Sequence, residues 1–232
     1  SKSQFIGKVS HELRTPLYGV IGLANILEQD FPILKNNKIL NSLNFSANYL
    51  MNLINDLLQM QKIEANAVKV EKNVYNINHE IKHIGESLNA IAHRNKNEII
   101  TSTENFEHEL VEVDKLKLNQ ILYNLISNAL KFTTEGRVTI HVKQKVISST
   151  VLSLEYAIED TGNGISEENL AVIFDRFSQF HTQGTDYQGT GLGLSIVKQL
   201  IDLLGGAIKV ESTVGKGTIF TFSIPCKVVT TK

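Results

Sequence analysis

The first 66 residues carry two long apolar stripes at helical spacing, and after residue 72 that period gives way to alternation. A chain built this way cannot form one uniform layer. In residues 2–30, Phe5, Val9, Leu13, Val20, Ala24 and Leu27 fall on one side of a helix. Pro16 stands mid-helix, where it removes a backbone donor and is expected to bend the axis. Residues 31–37, with Pro32 and two asparagines, read as a turn. A second helix runs to about residue 66, with Ile39, Leu43, Leu50, Ile54 and Leu57 on one face and Gln61 continuing it. Two helices with a short connection make an antiparallel hairpin. A lone hairpin cannot bury two broad stripes, so the spacing predicts a homodimeric four-helix bundle.

Beyond residue 72 the elements shorten. Val68 to Tyr75 alternates like a strand; 77–93 reads as a helix, 97–102 as a strand and 114–132 as a helix. Segments 137–146 and 151–159 read as paired strands, a glycine-rich stretch leads into a helix over about 191–204, and strands 207–212 and 218–224 follow. The fold class is therefore α+β: a helical hairpin, then a two-layer α/β sandwich with helices on one face of a mixed sheet. A net charge of -1 gives no footing for nucleic acid or a membrane surface. Cys226 is the sole cysteine, which excludes an internal disulfide and fits a reducing compartment. No apolar run approaches the roughly 20 residues of a membrane span, no segment reads as a signal peptide, and the opening helical pattern reads as part of a longer protein.

Several segments carry chemistry. Ser10-His11-Glu12-Leu13-Arg14-Thr15-Pro16 places His11 roughly opposite the apolar stripe of its helix, facing solvent. At neutral pH an imidazole keeps one nucleophilic nitrogen, and Glu12 is positioned to take a proton. Taken alone, His11 reads as a plain surface histidine. On the 114–132 helix, Asn124, Asn128 and Lys131 share a narrow face, while Leu118, Ile121, Leu122, Leu125 and Ala129 form an apolar arc. Amide oxygens can ligate Mg²⁺, and an ammonium can bind phosphate; Lys117 and Gln120 share that face, so a solvated polar face fits it equally. Asp160-Thr161-Gly162-Asn163-Gly164 follows a strand, which suits either base recognition or a simple turn. Gly189-Thr190-Gly191-Leu192-Gly193 opens a helix, whose backbone N–H groups attract phosphate. It lacks the spacing of a dinucleotide fingerprint. His79-Glu80-Ile81-Lys82-His83 matches a zinc-protease pattern, but both histidines fall about 200–240° from Ile77 on a helix whose buried side is Ile77, Ile81, Ile84, Leu88 and Ile91. They are expected to face water.

In this order, the segments resemble the boxes of the sensor histidine kinases of two-component systems. The resemblance covers nearly the whole chain. The histidine segment resembles the H box, with Tyr18 replacing a polar residue, and Asn124-Leu-Ile-Ser-Asn128-Ala-Leu-Lys131-Phe132-Thr133 resembles the N box. The two glycine segments and Gly215-Lys-Gly217-Thr218 resemble the glycine boxes. Ile173-Phe174-Asp175-Arg176-Phe177 resembles the F box, and 178–190 the lid, with Gln179 where relatives carry a basic or amide side chain and Gln188 where glycine is common.

The resemblance implies a dimerisation and phosphoacceptor domain over 1–70 and a Bergerat (GHKL) ATP-binding domain over 71–232. It implies autophosphorylation of His11 from ATP and Mg²⁺, with Glu12 as base and Thr15 serving phosphatase chemistry. Asn128 is the implied metal ligand. The nucleotide is implied to touch Asn124, Asn128, Lys131, Phe132, Asp160, Gly162, Gly164, Phe174, Phe177, Gln179, Gly189, Thr190, Gly191, Leu192, Gly193 and Thr218. Implied partners are a second copy through the hairpin and a response regulator receiver domain, with a cytoplasmic location and no membrane contact by this segment. A nucleotide-binding scaffold without catalysis is the alternative from another class. A chaperone- or topoisomerase-like ATPase would leave the H box unexplained.

Overall fold

The computed structural model describes residues 2–34, 37–65, 67–104, 107–178 and 190–229. Helix α1 (Lys2–Asp30) runs through Pro16 without a break, a 3-10 turn spans Pro32–Leu34, and α2 (Lys38–Glu64) returns antiparallel. Asn37 starts α2 by accepting from the Ile39 and Leu40 N–H groups at 2.9 and 3.2 Å, a cap of the usual kind. Two cross-helix contacts set the register: Arg14 donates to Asn55 at 2.9 Å, and Asn44 to Glu28 at 3.5 Å.

The hairpin does not bury its own stripes. Ala24, Ala47, Met51 and Ile54 are buried, but Val9, Leu13, Val20 and Leu27 are about 40 % exposed. Ile39 is 80 % exposed, and Leu43 and Leu50 lie open as well. The predicted α2 stripe is thus divided: its C-terminal half is covered and its N-terminal half is bare. The side chain of Phe5 lies outside those described.

The second unit is a seven-stranded mixed sheet. It contains β1 (Asn73–Asn76), β2 (Glu98–Glu104), β3 (Leu110–Val113), β4 (Arg137–Val146), β5 (Val151–Asp160), β6 (Ala207–Thr213) and β7 (Gly217–Val228). The order is β1-β3-β7-β5-β4-β2, with β6 also on β7; β2 and β4 run parallel and the other pairs antiparallel. Strands β3 and β6 share one edge of β7, β3 pairing at Lys227 and Val228 and β6 at 217–223. Helices α3 (Ile77–Arg94), α4 (Lys115–Phe132) and α6 (Gly193–Leu203) pack on the sheet, and α5 (Glu167–Leu170) is a single turn.

Period-two burial builds the core. Val138, Ile140 and Val142 of β4 and Leu152, Leu154, Tyr156 and Ile158 of β5 are fully buried, as one-sided strands require. Tyr156 stacks on Phe222 of β7 at 5.0 Å. The arc predicted on α4 is buried, with Ile126 and Leu130 added to it. Two expectations need correction. Val68 to Tyr75 forms a strand only from Asn73, because residues 67–72 have no ladder partner; Glu71 instead donates its N–H to Asp114 at 2.8 Å. Helix α6 begins at Gly193 rather than 191, since Gly191 takes φ +71°.

His79 and His83 face solvent, their rings stacked at 6.3 Å, and no cluster of three or more metal-ligating side chains occurs among the described residues. Glu80 between them turns inward. It pairs with Lys115 at 2.6 Å and accepts from Asn119 at 3.0 Å, joining α3 to the start of α4. Burial pushes the Glu80 carboxyl up, but Lys115, Asn119 and His79 outweigh it and hold it below its ordinary 4.5. A carboxyl lowered by folding contributes stability that is complete above the unfolded value and is lost as pH falls through the folded one. Lys115→Met removes the main lowering partner. We expect it to reduce the urea midpoint at pH 7 and to flatten the acid loss between roughly pH 5 and 3, measured by urea titration across pH. An unchanged acid limb would remove Glu80 from the account.

Candidate functional site

Strands β5 and β7 end side by side, with Asp160 directly opposite Thr218. Asp160 is 7 % exposed and Thr218 5 %. Gly162 donates its N–H to Asp160 Oδ1 at 2.8 Å, closing the loop around the carboxylate. Burial raises the Asp160 carboxyl above its ordinary 3.8, against the Gly162 and Thr218 backbone N–H groups, which pull it down. Ser212 on β6 lies directly opposite Thr218 on its other side, their hydroxyls 2.9 Å apart; it donates to the Gly217 carbonyl and accepts from Ile165 N–H, both at 2.8 Å.

Close backbone approach explains the glycines here. A Cβ on Gly162 would stand 2.4 Å from the Phe132 carbonyl oxygen, and one on Gly164, at φ +68°, 2.1 Å from that of Thr213. The loop is thereby pinned to the end of α4, where Asn163 N–H also donates to Phe132 O at 3.3 Å. On α4, Asn124, Asn128 and Lys131 present one half-buried face. Burial alone lowers the Lys131 ammonium from its ordinary range, and it has no ion pair among the described residues. Next to this helix, α6 starts at Gly191-Leu192-Gly193 without a side-chain cap. The Thr190 hydroxyl accepts from Leu192 N–H at 3.3 Å.

The structure thus brings together Asp160, Gly162, Gly164 and Thr218 at the C-terminal end of α4, whose half-buried face carries Asn124, Asn128 and Lys131, with α6 packed alongside that helix. Leu192 is fully buried, its N–H donated to Thr190 and its carbonyl accepting from Ser195, so it supports the turn from within. Phe174 packs edge-on against Phe220 at 6.4 Å, while Phe177 and Phe132 stay exposed. Gln179 and Gly189, with the lid stretch between them, lie outside the described residues. Thr133 was missed as a site residue. Its hydroxyl is fully buried beside the Asp160 carboxylate, whose pKa it helps to lower, without a hydrogen bond of ordinary geometry. Ser212 was missed because nothing in its local sequence marks it; only the strand register brings it to Thr218.

His11 is exposed on α1, and Thr15 Oγ donates to its backbone oxygen at 3.3 Å. No hydrogen bond joins Glu12 to the His11 ring, unlike the adjacent pair His79 and Glu80 on α3, which meet at 3.3 Å.

Two family models cover this chain: the His Kinase A (phospho-acceptor) domain over 1–66 and the histidine kinase-, DNA gyrase B- and HSP90-like ATPase over 113–228. The chain belongs to the histidine kinases. It is 37 % identical to hybrid signal transduction histidine kinase B of Dictyostelium discoideum over 235 residues, covering 100 % of this chain and 12 % of that protein. It is 36 % identical over 233 residues to the autoinducer 2 sensor kinase/phosphatase LuxQ of Vibrio vulnificus, covering 97 % of this chain and 26 % of that one. This histidine kinase core therefore spans only about an eighth to a quarter of those relatives. Full-length ShkA, solved in complex with AMPPNP, matches 98 % of this chain and 47 % of its own, with TM-score 0.81 and 29 % identity. No helix among the described residues is long and apolar enough to cross a membrane.

Proposed function

We propose that this histidine kinase core transfers the γ-phosphoryl group of ATP to His11 and passes it to an aspartate of a response regulator receiver domain. The carrying observation is the buried corner formed by Asp160, Thr218 and Thr133, beside the Asn124–Asn128–Lys131 face. In this reading 1–70 is the acceptor domain and 71–232 the catalytic one. Asp160 accepts from the adenine amino group. Lys131, half-buried and without a counter-ion among the described residues, and the uncapped start of α6 meet the phosphates. Asn128, with Asn124 one turn away, supplies neutral oxygen for Mg²⁺. The residues fit such an ion when phosphates and water complete its octahedron; once bound, it neutralises charge developing on the phosphates.

The His11 nitrogen attacks phosphorus as the bond to the departing ADP oxygen breaks, and the ring proton passes to Glu12. Since His11 and Glu12 are not hydrogen-bonded beforehand, that contact forms on approach. Positioning and charge neutralisation supply most of the rate. Thr15, one turn along, orients water for dephosphorylating the regulator. The reading is tested by transfer of label from γ-labelled ATP to the chain, expected with Mg²⁺ and absent when the metal is chelated.

The bare hairpin stripe supports a homodimer. Val20, Leu23, Leu27, Leu40 and Leu43 line an apolar groove between α1 and α2, and a second copy would close it into four helices. Light scattering should give about twice the 25.9 kDa chain mass. Leu23→Glu, at a site 64 % exposed in one copy, should yield monomers; a Leu23→Glu dimer would put the interface elsewhere.

A further inference from the structure

One face of α2 leaves the hairpin and packs on the catalytic unit. Leu53, Asp56, Leu57, Met60, Ile63 and Glu64 fall within an arc of about 120°, and the four apolar members join the core of the sheet unit. The face that meets α1, with Met51, Ile54 and Asn55, is a separate arc. Polar contacts fasten the first face: Gln59 and Gln120 exchange amide hydrogen bonds at 2.9 and 2.7 Å, and Arg176 pairs with Glu64.

The remaining fastening touches the second glycine segment itself. Thr190 Oγ donates to Asp56 Oδ2 at 2.7 Å while accepting from Leu192 N–H. One hydroxyl therefore ties the turn before α6 to the hairpin. The cross-helix pairs Arg14–Asn55 and Glu28–Asn44 place Asp56 level with residues 13–16 of α1, about one helical turn from His11. In a bundle of two parallel hairpins both copies of His11 stand at this height, whichever one receives the phosphate.

We propose that Asp56 is a positioning residue for phosphoryl transfer, clasping the second glycine loop through Thr190 so that the phosphate end of the nucleotide is held at the level of His11. The inference rests on the kinase reading above. The contact is partly withdrawn from water: burial raises the Asp56 carboxyl, and the Thr190 hydrogen bond opposes this. Misplacement by about 1 Å can cost on the order of 100-fold in rate, so losing the clasp should act on turnover rather than on binding.

The test uses the full chain and its Asp56→Ala and Asp56→Asn variants, measuring kcat and KM for ATP in His11 labelling and calorimetric affinity for ADP. Asp56→Ala should lose about 20- to 100-fold in kcat while KM and ADP affinity stay within about threefold. Asp56→Asn keeps an acceptor for Thr190 and should recover most of that loss. The clasp is overturned if Asp56→Ala labels as fast as the parent or faster, the latter meaning that the carboxylate holds the domain off. It is also overturned if the loss lies in KM, or if Asn behaves as Ala. A parent chain that binds ADP but never labels His11 would instead bring down the kinase reading, and the clasp with it.

Discussion

Asp160→Asn should weaken ATP binding by about 30- to 1000-fold, equivalent to roughly 2–4 kcal/mol. The carboxylate is buried, and one of its oxygens is engaged by Gly162 N–H at 2.8 Å. An asparagine can keep that bond only by turning its amide nitrogen to the other side. There it faces the adenine amino group donor to donor, and both groups are left unsatisfied in a desolvated corner. A site built to accept a hydrogen bond discriminates strongly because the wrong pairing strands buried polar atoms. Guanine carries an acceptor where adenine carries its amine, so the variant should also lose preference for ATP over GTP. Calorimetry with both nucleotides checks this; unaltered ATP affinity would remove Asp160 from base recognition.

Gly217→Ala should cost about 3–5 kcal/mol of stability. Gly217 opens β7 at φ +115°, and a Cβ there would lie 1.9 Å from the Asp160 carbonyl oxygen. The clash is backbone against side chain at the one place where β5 and β7 bring Asp160 and Thr218 together, so relaxing it would pull the site apart. Gly215 is the control. It also has positive φ, +78°, but a Cβ there meets nothing within 4 Å, so Gly215→Ala should cost only about 1 kcal/mol, the conformational term alone. Thermal melts of the two variants give the comparison; equal losses would mean that the contact with Asp160 does not matter.

What could be read in advance follows from element length. Helices α1 to α4 and strands β4, β5 and β7 carry enough periods for burial to be visible in the residues themselves. Leu110–Val113 and Glu167–Leu170 hold four residues each, too few to show a period, and went unpredicted. The boxes were legible because each is local, and the strand register joins the first and last glycine segments at Asp160 and Thr218. Thr133 and Ser212 matter only through neighbours distant in sequence. Nothing in the sequence around Asp56 marks it; only the docked face of α2 gives it a partner in Thr190. The reverse holds for Ile39, Leu43 and Leu50, which the sequence marks as buried and a single chain leaves open. The proposed homodimer supplies their cover.

The account turns on His11, and the most direct measurement is labelling with γ-labelled ATP and Mg²⁺ beside a His11→Ala variant. A phosphoramidate on histidine is labile to acid and stable to base. The prediction is label that survives base, is lost in acid and disappears in His11→Ala, while the variant still binds ATP. Label that resists acid, or that persists in His11→Ala, would contradict it.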